Sequence, residues 1–145
     1  MSLSSTPSEP KDRKVLLSTL WLFASLNYIF CDVLGLVDPA LVVPFELTPG
    51  FLLGAGILVE IPIAMVLLSR VLPHRANRWA NIAAGTAMTA VQIASLFLGV
   101  PAVYYVFFSV IEITTTVFIV WFAWSWLKPV AQVGLNEPEL SASRV

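Results

Sequence analysis

Charge is what this 145-residue chain has least of: 12% of its residues are charged, against 58% hydrophobic. A soluble domain carries about 25% charged and about 45–50% apolar residues. The mean hydropathy of +0.86 points the same way. The apolar excess is too large for a core hidden from water, and it leaves no room for a soluble catalytic domain. The formal net charge of −1 includes no basic patch able to neutralise a phosphate backbone, which argues against nucleic-acid binding. One cysteine, Cys31, makes neither an internal disulfide nor a Cys-x-x-Cys pair. That argues against thiol-oxidising four-helix membrane enzymes, which need several. The one histidine, His74, lies outside the apolar runs, so axial histidine ligation of a membrane haem is excluded. Gly54-Ala55-Gly56 opens a GxG pattern inside an apolar run, but the third glycine is missing. Small residues for helix packing are the better reading.

What the chain does have is long apolar runs. Four stretches of about 22 residues, each about 33 Å long as a helix, would cross a bilayer core. Residues 1–14 are rich in Ser, Pro and charge and read as a short disordered tail. The first run spans 15–37. It exceeds a signal-peptide core, and Asp38-Pro39 follows it instead of a small-residue cleavage site, so it reads as a retained helix. The others span about 50–72, 79–100 and 102–127, with prolines at 49, 73 and 101 as punctuation. Residues 129–145 are polar and read as a second disordered tail. The predicted fold is all-α: a polytopic membrane protein whose residues 15–128 form one four-transmembrane-helix bundle.

Positive charge sets the expected orientation. All eight Lys and Arg fall in the two tails or in the Arg70–Arg78 loop, and the other two loops carry none. The positive-inside rule then places both termini and the middle loop in the cytoplasm. The five tryptophans fall in the cytoplasmic halves of the runs, as an interfacial belt would. His74 reads as a solvated loop residue. Residues 38–49 include three prolines yet are largely apolar, as expected of a loop packed on helix ends or lying across the outer mouth of the bundle.

The 100° step per residue shows which faces carry the polar groups. In the first run Leu22, Phe23, Leu26, Ile29, Phe30, Val33 and Leu34 share a face suited to lipid; Asn27, Tyr28, Cys31 and Asp32 lie opposite. In the second, Gly56, Glu60 and Ala64 are spaced by four. Asn81, Gly85, Thr89, Gln92 and Gly99 form a stripe in the third, and Tyr105, Ser109, Glu112, Thr116 and Ala123 in the fourth. Asn27, Glu60, Gln92 and Glu112 count to mid-membrane, and Asp32 to the outer side. A shared intramembrane cluster of Asn27, Asp32, Glu60, Gln92 and Glu112 is therefore expected, with Tyr28, Tyr105 and Thr116 lining a pocket beside it. Val59-Glu60-Ile61 and Ile111-Glu112-Ile113 also sit at similar depth in helices that run the same way.

An acidic residue at a helix centre costs about 2.5–3.5 kcal/mol on insertion scales. No Lys, Arg or His lies at the depth of these acids within the apolar spans to pair with them. Carboxamides and threonines can also act as interhelical glue, worth roughly 0.6–2 kcal/mol each. Glutamate is a costly glue, because Gln or Ser would serve without an ionisation penalty.

The chain resembles an uncharacterised family of small bacterial four-helix integral membrane proteins, distantly DoxX-like. Leu20-Trp21, Asn27-Tyr28, Asp32-Val33-Leu34, Glu60-Ile61-Pro62-Ile63-Ala64-Met65 and Arg75-Ala76-Asn77-Arg78-Trp79-Ala80-Asn81 carry the likeness, over most of residues 15–127. It implies a four-helix fold in the bacterial cytoplasmic membrane and transfers no catalytic role. The DoxX-like side of it suggests a membrane subunit working with a redox partner. Two functions compete: proton- or cation-coupled transport through the acidic cluster, and a membrane-embedded accessory or binding subunit for a lipophilic ligand. Trp21 and Phe108 would add apolar walls to the ligand pocket of the second. Enzymatic activity is disfavoured, since no nucleophile–base pair or metal cluster is visible, and no cofactor is implied. The expected partners are the lipid bilayer and a second copy or a membrane subunit, with no nucleic acid.

Overall fold

The computed structural model describes residues 9–39, 46–98 and 101–126. It is all-α among these residues, with helices α1 (Glu9–Val37), α2 (Pro49–Val71), α3 (His74–Ser95) and α4 (Val103–Trp124). The expectations for residues 1–8, 40–45, 99–100 and 127–145 fall outside the described residues.

The helix ends follow from local chemistry. Thr48 caps α2: its hydroxyl accepts the Phe51 N–H, and Pro49 takes the first turn, where a missing N–H costs nothing. Pro73 ends α2 by forcing Leu72 to an extended ψ of 143°. It then starts α3 at once, as its carbonyl accepts the Asn77 N–H at 2.8 Å. The loop expected through residue 78 is therefore absent, and α3 begins at His74. His74 is half-buried, with its ring edge 4.6 Å from Trp126, and is no solvated loop residue. Helix α1 likewise starts early. Residues 9–14, read as tail, form its first turns, with Pro10 where proline is tolerated.

Two antiparallel hairpins, α1–α2 and α3–α4, join mainly through α1 and α4, whereas α2 and α3 share a smaller contact. Alternating direction collects the start of α1, the end of α2, the start of α3 and the end of α4 at one end. Six of the basic residues, Lys11, Arg13, Lys14, Arg70, Arg75 and Arg78, lie there. Lys14 Nζ donates to the Leu72 carbonyl at 2.6 Å, and Arg13 stacks on Phe122, 5.1 Å from its ring centroid. The buried core is formed by Leu17, Trp21, Met65, Met88, Ile119 and Trp126.

Three helices, α1, α2 and α4, are long and apolar enough to cross a membrane. Helix α3 differs from the expectation of four such helices because its first two turns contain Arg75, Asn77, Arg78 and Asn81. Its polar residues point inward: Asn77, Asn81 and Gln92 are buried.

Gly85 sets how closely α3 approaches α4. A Cβ there would stand 2.6 Å from Val120 Cγ2 and 3.3 Å from the Thr116 carbonyl oxygen, whereas one on Gly54 would meet nothing within 4 Å. We expect Gly85→Leu to destabilise the fold by about 1–3 kcal/mol, the usual cost of overpacking. Gly54→Leu should leave stability nearly unchanged. Unfolding titrations of both variants in mixed micelles check the contrast.

Candidate functional site

Helices α3 and α4 face each other through their polar stripes. The Tyr105 hydroxyl donates to Ser95 Oγ at 2.6 Å, and Ser95 Oγ donates to the Gln92 carbonyl at 2.7 Å. One turn deeper, Gln92 Nε2 donates to Ser109 Oγ at 2.7 Å, and Ser109 Oγ donates to the Tyr105 carbonyl. Deeper again, the hydroxyls of Thr89 and Thr116 are 2.7 Å apart, and Thr116 also bonds the Glu112 carbonyl. The 3.6-residue period brings Ser109, Glu112 and Thr116 to one face of α4, which is why the ladder forms.

Glu112 stands between those rungs and differs from them. It is 1% exposed, yet neither carboxylate oxygen has a hydrogen-bond partner. Its carboxyl lies within electrostatic reach of Tyr28, Cys31 and Asp32 on α1 and of Tyr105 on α4. The Tyr28 hydroxyl is also buried and unpartnered. A buried polar group without a partner forfeits its hydration for nothing, so such a pair is a costly arrangement to keep.

The five residues expected to cluster are not all brought together. Gln92 and Glu112 share the α3–α4 seam. Asp32 is in electrostatic reach of Glu112 but exposed. Asn27 is half-buried and its side chain turns back to its own helix, donating to the Phe23 carbonyl at 2.9 Å. Glu60 is the clear departure, because it is exposed on the outer face of α2. The packed face of α2 runs through Leu58, Pro62, Met65 and Ser69; Glu60, two residues from both Leu58 and Pro62, points about 200° away from each. Gly56 is exposed with it. The shared four-helix cluster is thus replaced by a two-helix ladder with α1 alongside. Of the expected pocket lining, Tyr28 and Tyr105 flank Glu112, while Thr116 is bonded to Thr89.

Sequence reasoning missed a second polar group at the basic end. Trp21 Nε1 donates to Asn81 Oδ1 at 2.7 Å, and Ser69 Oγ donates to the same oxygen at 3.2 Å. Asn77 Nδ2 donates to the Ser69 carbonyl at 2.6 Å, and Asn81 Nδ2 to the Asn77 carbonyl at 2.8 Å. At the same end, Ser18 Oγ accepts from Arg70 Nε at 3.0 Å and donates to the Val66 carbonyl. Trp21 is therefore a core residue, neither a belt residue nor a pocket wall. The available signal was the i, i+4 pair Asn77 and Asn81 directly after Pro73. Met65, Met88 and Ile119 fill the section between this group and the ladder.

Among the described residues no group of three His, Cys, Asp or Glu could hold a metal ion. A family model described as a family of unknown function, DUF6326, matches residues 8–132. The chain belongs to that family. No curated protein and no solved structure matches it. Membership leaves the site to be read from its own geometry.

The ladder predicts an asymmetry. Ser109→Ala leaves Gln92 Nε2 buried without its acceptor and should cost about 1–3 kcal/mol. Removing both partners together, in Ser109→Ala/Gln92→Leu, should cost less than the sum of the singles. A double-mutant cycle on unfolding free energy in detergent measures it.

Proposed function

We propose that the chain is an integral, multi-pass membrane protein of the bacterial cytoplasmic membrane, with both termini in the cytoplasm. Helix α3 crosses with the three apolar helices, its polar side chains shielded by α4, α1 and the end of α2. Its function is proton- or cation-coupled transport, and Glu112 is the exchanging carboxyl. One observation carries this reading: Glu112 is 1% exposed and both its oxygens lack partners. A glutamine would hold helices together without an ionisation penalty, so a carboxyl kept there has use for its charge. Exposed Asp32 is the entrance group on the side away from the basic end. Met65, Met88 and Ile119 close the way beyond the ladder, so passage requires the hairpins to move relative to each other.

The second reading, an accessory or binding subunit for a lipophilic ligand, is favoured by a different feature. An open, apolar groove of about 440 Å³ runs between α3 and α4, lined by Ile93, Val117, Val120, Trp121 and Trp124, with Thr89 among its walls. The DoxX-like resemblance adds a redox subunit as the partner such a protein would serve. A co-purifying small molecule or protein in native mass spectra would favour it.

Reconstitution in liposomes separates the two. With a pH dye and a panel of organic cations, wild type should show flux and Glu112→Gln should lose at least tenfold of it. Glu60→Gln should retain it, because Glu60 lies outside the seam. Equal flux for wild type and Glu112→Gln would end the transport reading.

A further inference from the structure

Among the described residues the one charged group acting on the Glu112 carboxyl is Asp32, an acid. Three buried polar atoms on two helices are unpartnered here: both Glu112 carboxylate oxygens and the Tyr28 hydroxyl. Among the described residues, the other titratable groups around Glu112 are Cys31 and Asp32 on α1 and Tyr105 on α4. Tyr105 is committed to Ser95. From α3 the facing polar group is neutral Gln92, and the carboxyl on α2, Glu60, is exposed on that helix's outer face.

Size and donor count choose among ligands. A hard metal cation takes six to eight oxygen ligands, or an octahedral set with waters. No group of three His, Cys, Asp or Glu able to hold a metal is present among the described residues. An organic ammonium ion needs room for its carbon body, and a side chain only 1% exposed offers none beside it. The proton is the one cation that needs neither ligand set nor volume.

We infer that Glu112 and Tyr28 form a single proton-binding site, in which the phenol steadies the carboxyl through both states. This rests on Glu112 as the exchanging group and narrows its cargo to the proton. In this structure the two groups are not bonded; with the carboxylate charged, a side-chain rotation brings the Tyr28 O–H to donate to one of its oxygens. Uptake adds a hydrogen to the other oxygen, making a neutral acid; release breaks that O–H bond and returns the proton. Tyr28 keeps its own hydrogen throughout, and no other bond forms or breaks. The tyrosine is a positioning residue, because it fixes where the charge sits without carrying the proton.

Infrared difference spectroscopy on the purified full chain, stepped through pH, tests the site without relying on flux. The expected result is a neutral-acid carbonyl band that vanishes in Glu112→Gln and persists in Glu60→Gln. In Tyr28→Phe, which removes only the hydroxyl, that band should move to higher frequency because its oxygen has lost a hydrogen bond. Absence of any Glu112 acid band, or a band indifferent to Tyr28→Phe, overturns the pair. Flux without the band leaves transport standing with another cation and ends this inference. The band without flux upholds the proton site and ends transport.

Discussion

Helix α3 is too polar to be covered by lipid, and the rest of the bundle is arranged to take its polar side chains inward. Asn77, Asn81, Gly85 and Gln92 lie on one face at helical spacing, and all four are buried. Helix α4 meets the part of that face away from the basic end with Tyr105, Ser109 and Thr116. The end of α2 and the first half of α1 meet the other part with Ser69 and Trp21. Leaving any of these amides unpaired in a dry interior would cost about 1–3 kcal/mol each. Satisfying them fixes the neighbours and registers of α3, and Gly85 permits the close approach that hydrogen bonds of 2.6–2.7 Å require.

Against the paired amides of α3 Glu112 stands out. Two glutamates occur in near-identical surroundings in the sequence, Val59-Glu60-Ile61 and Ile111-Glu112-Ile113. Their fates diverge because α2 and α4 present different faces to the core. On α4 the packed positions Ser109, Glu112, Thr116, Ile119 and Ala123 place the carboxyl inside. On α2 the packed face passes through Leu58, Pro62, Met65 and Ser69, and the carboxyl falls outside it. A transport or binding role for Glu112 therefore does not extend to Glu60 within one chain.

Much of the fold was legible in the sequence because apolar length and turn chemistry are local. Pro49 and Pro73 mark the ends of α2 on the page. Every one of the seven α1 residues assigned to a lipid-facing surface, Leu22 to Leu34, is exposed. The stripes of α3 and α4 were legible too, since a helical wheel needs only the sequence. Which stripe meets which was not. The wheel of α2 offers Gly56, Glu60 and Ala64 as a coherent polar face, and only packing shows that another face is used. The Trp21–Asn81 bond joins residues 60 apart in sequence, and neither residue alone announces it. The early start of α1 escaped because charged residues 9–14 looked like tail, although Lys14 and Arg13 hold them to α2 and α4.

A role for Glu112 requires that the two carboxyl-bearing positions face opposite ways, one inside the bundle and one outside. Nitroxide spin labels at positions 60 and 112, each in a chain carrying Cys31→Ser and reconstituted in bilayers, read that orientation through oxygen accessibility. The label replacing Glu60 should collide freely with oxygen dissolved in lipid, and the label replacing Glu112 should be shielded from both oxygen and water-soluble relaxants. Equal oxygen accessibility at the two positions would place Glu112 on the lipid face and contradict the account.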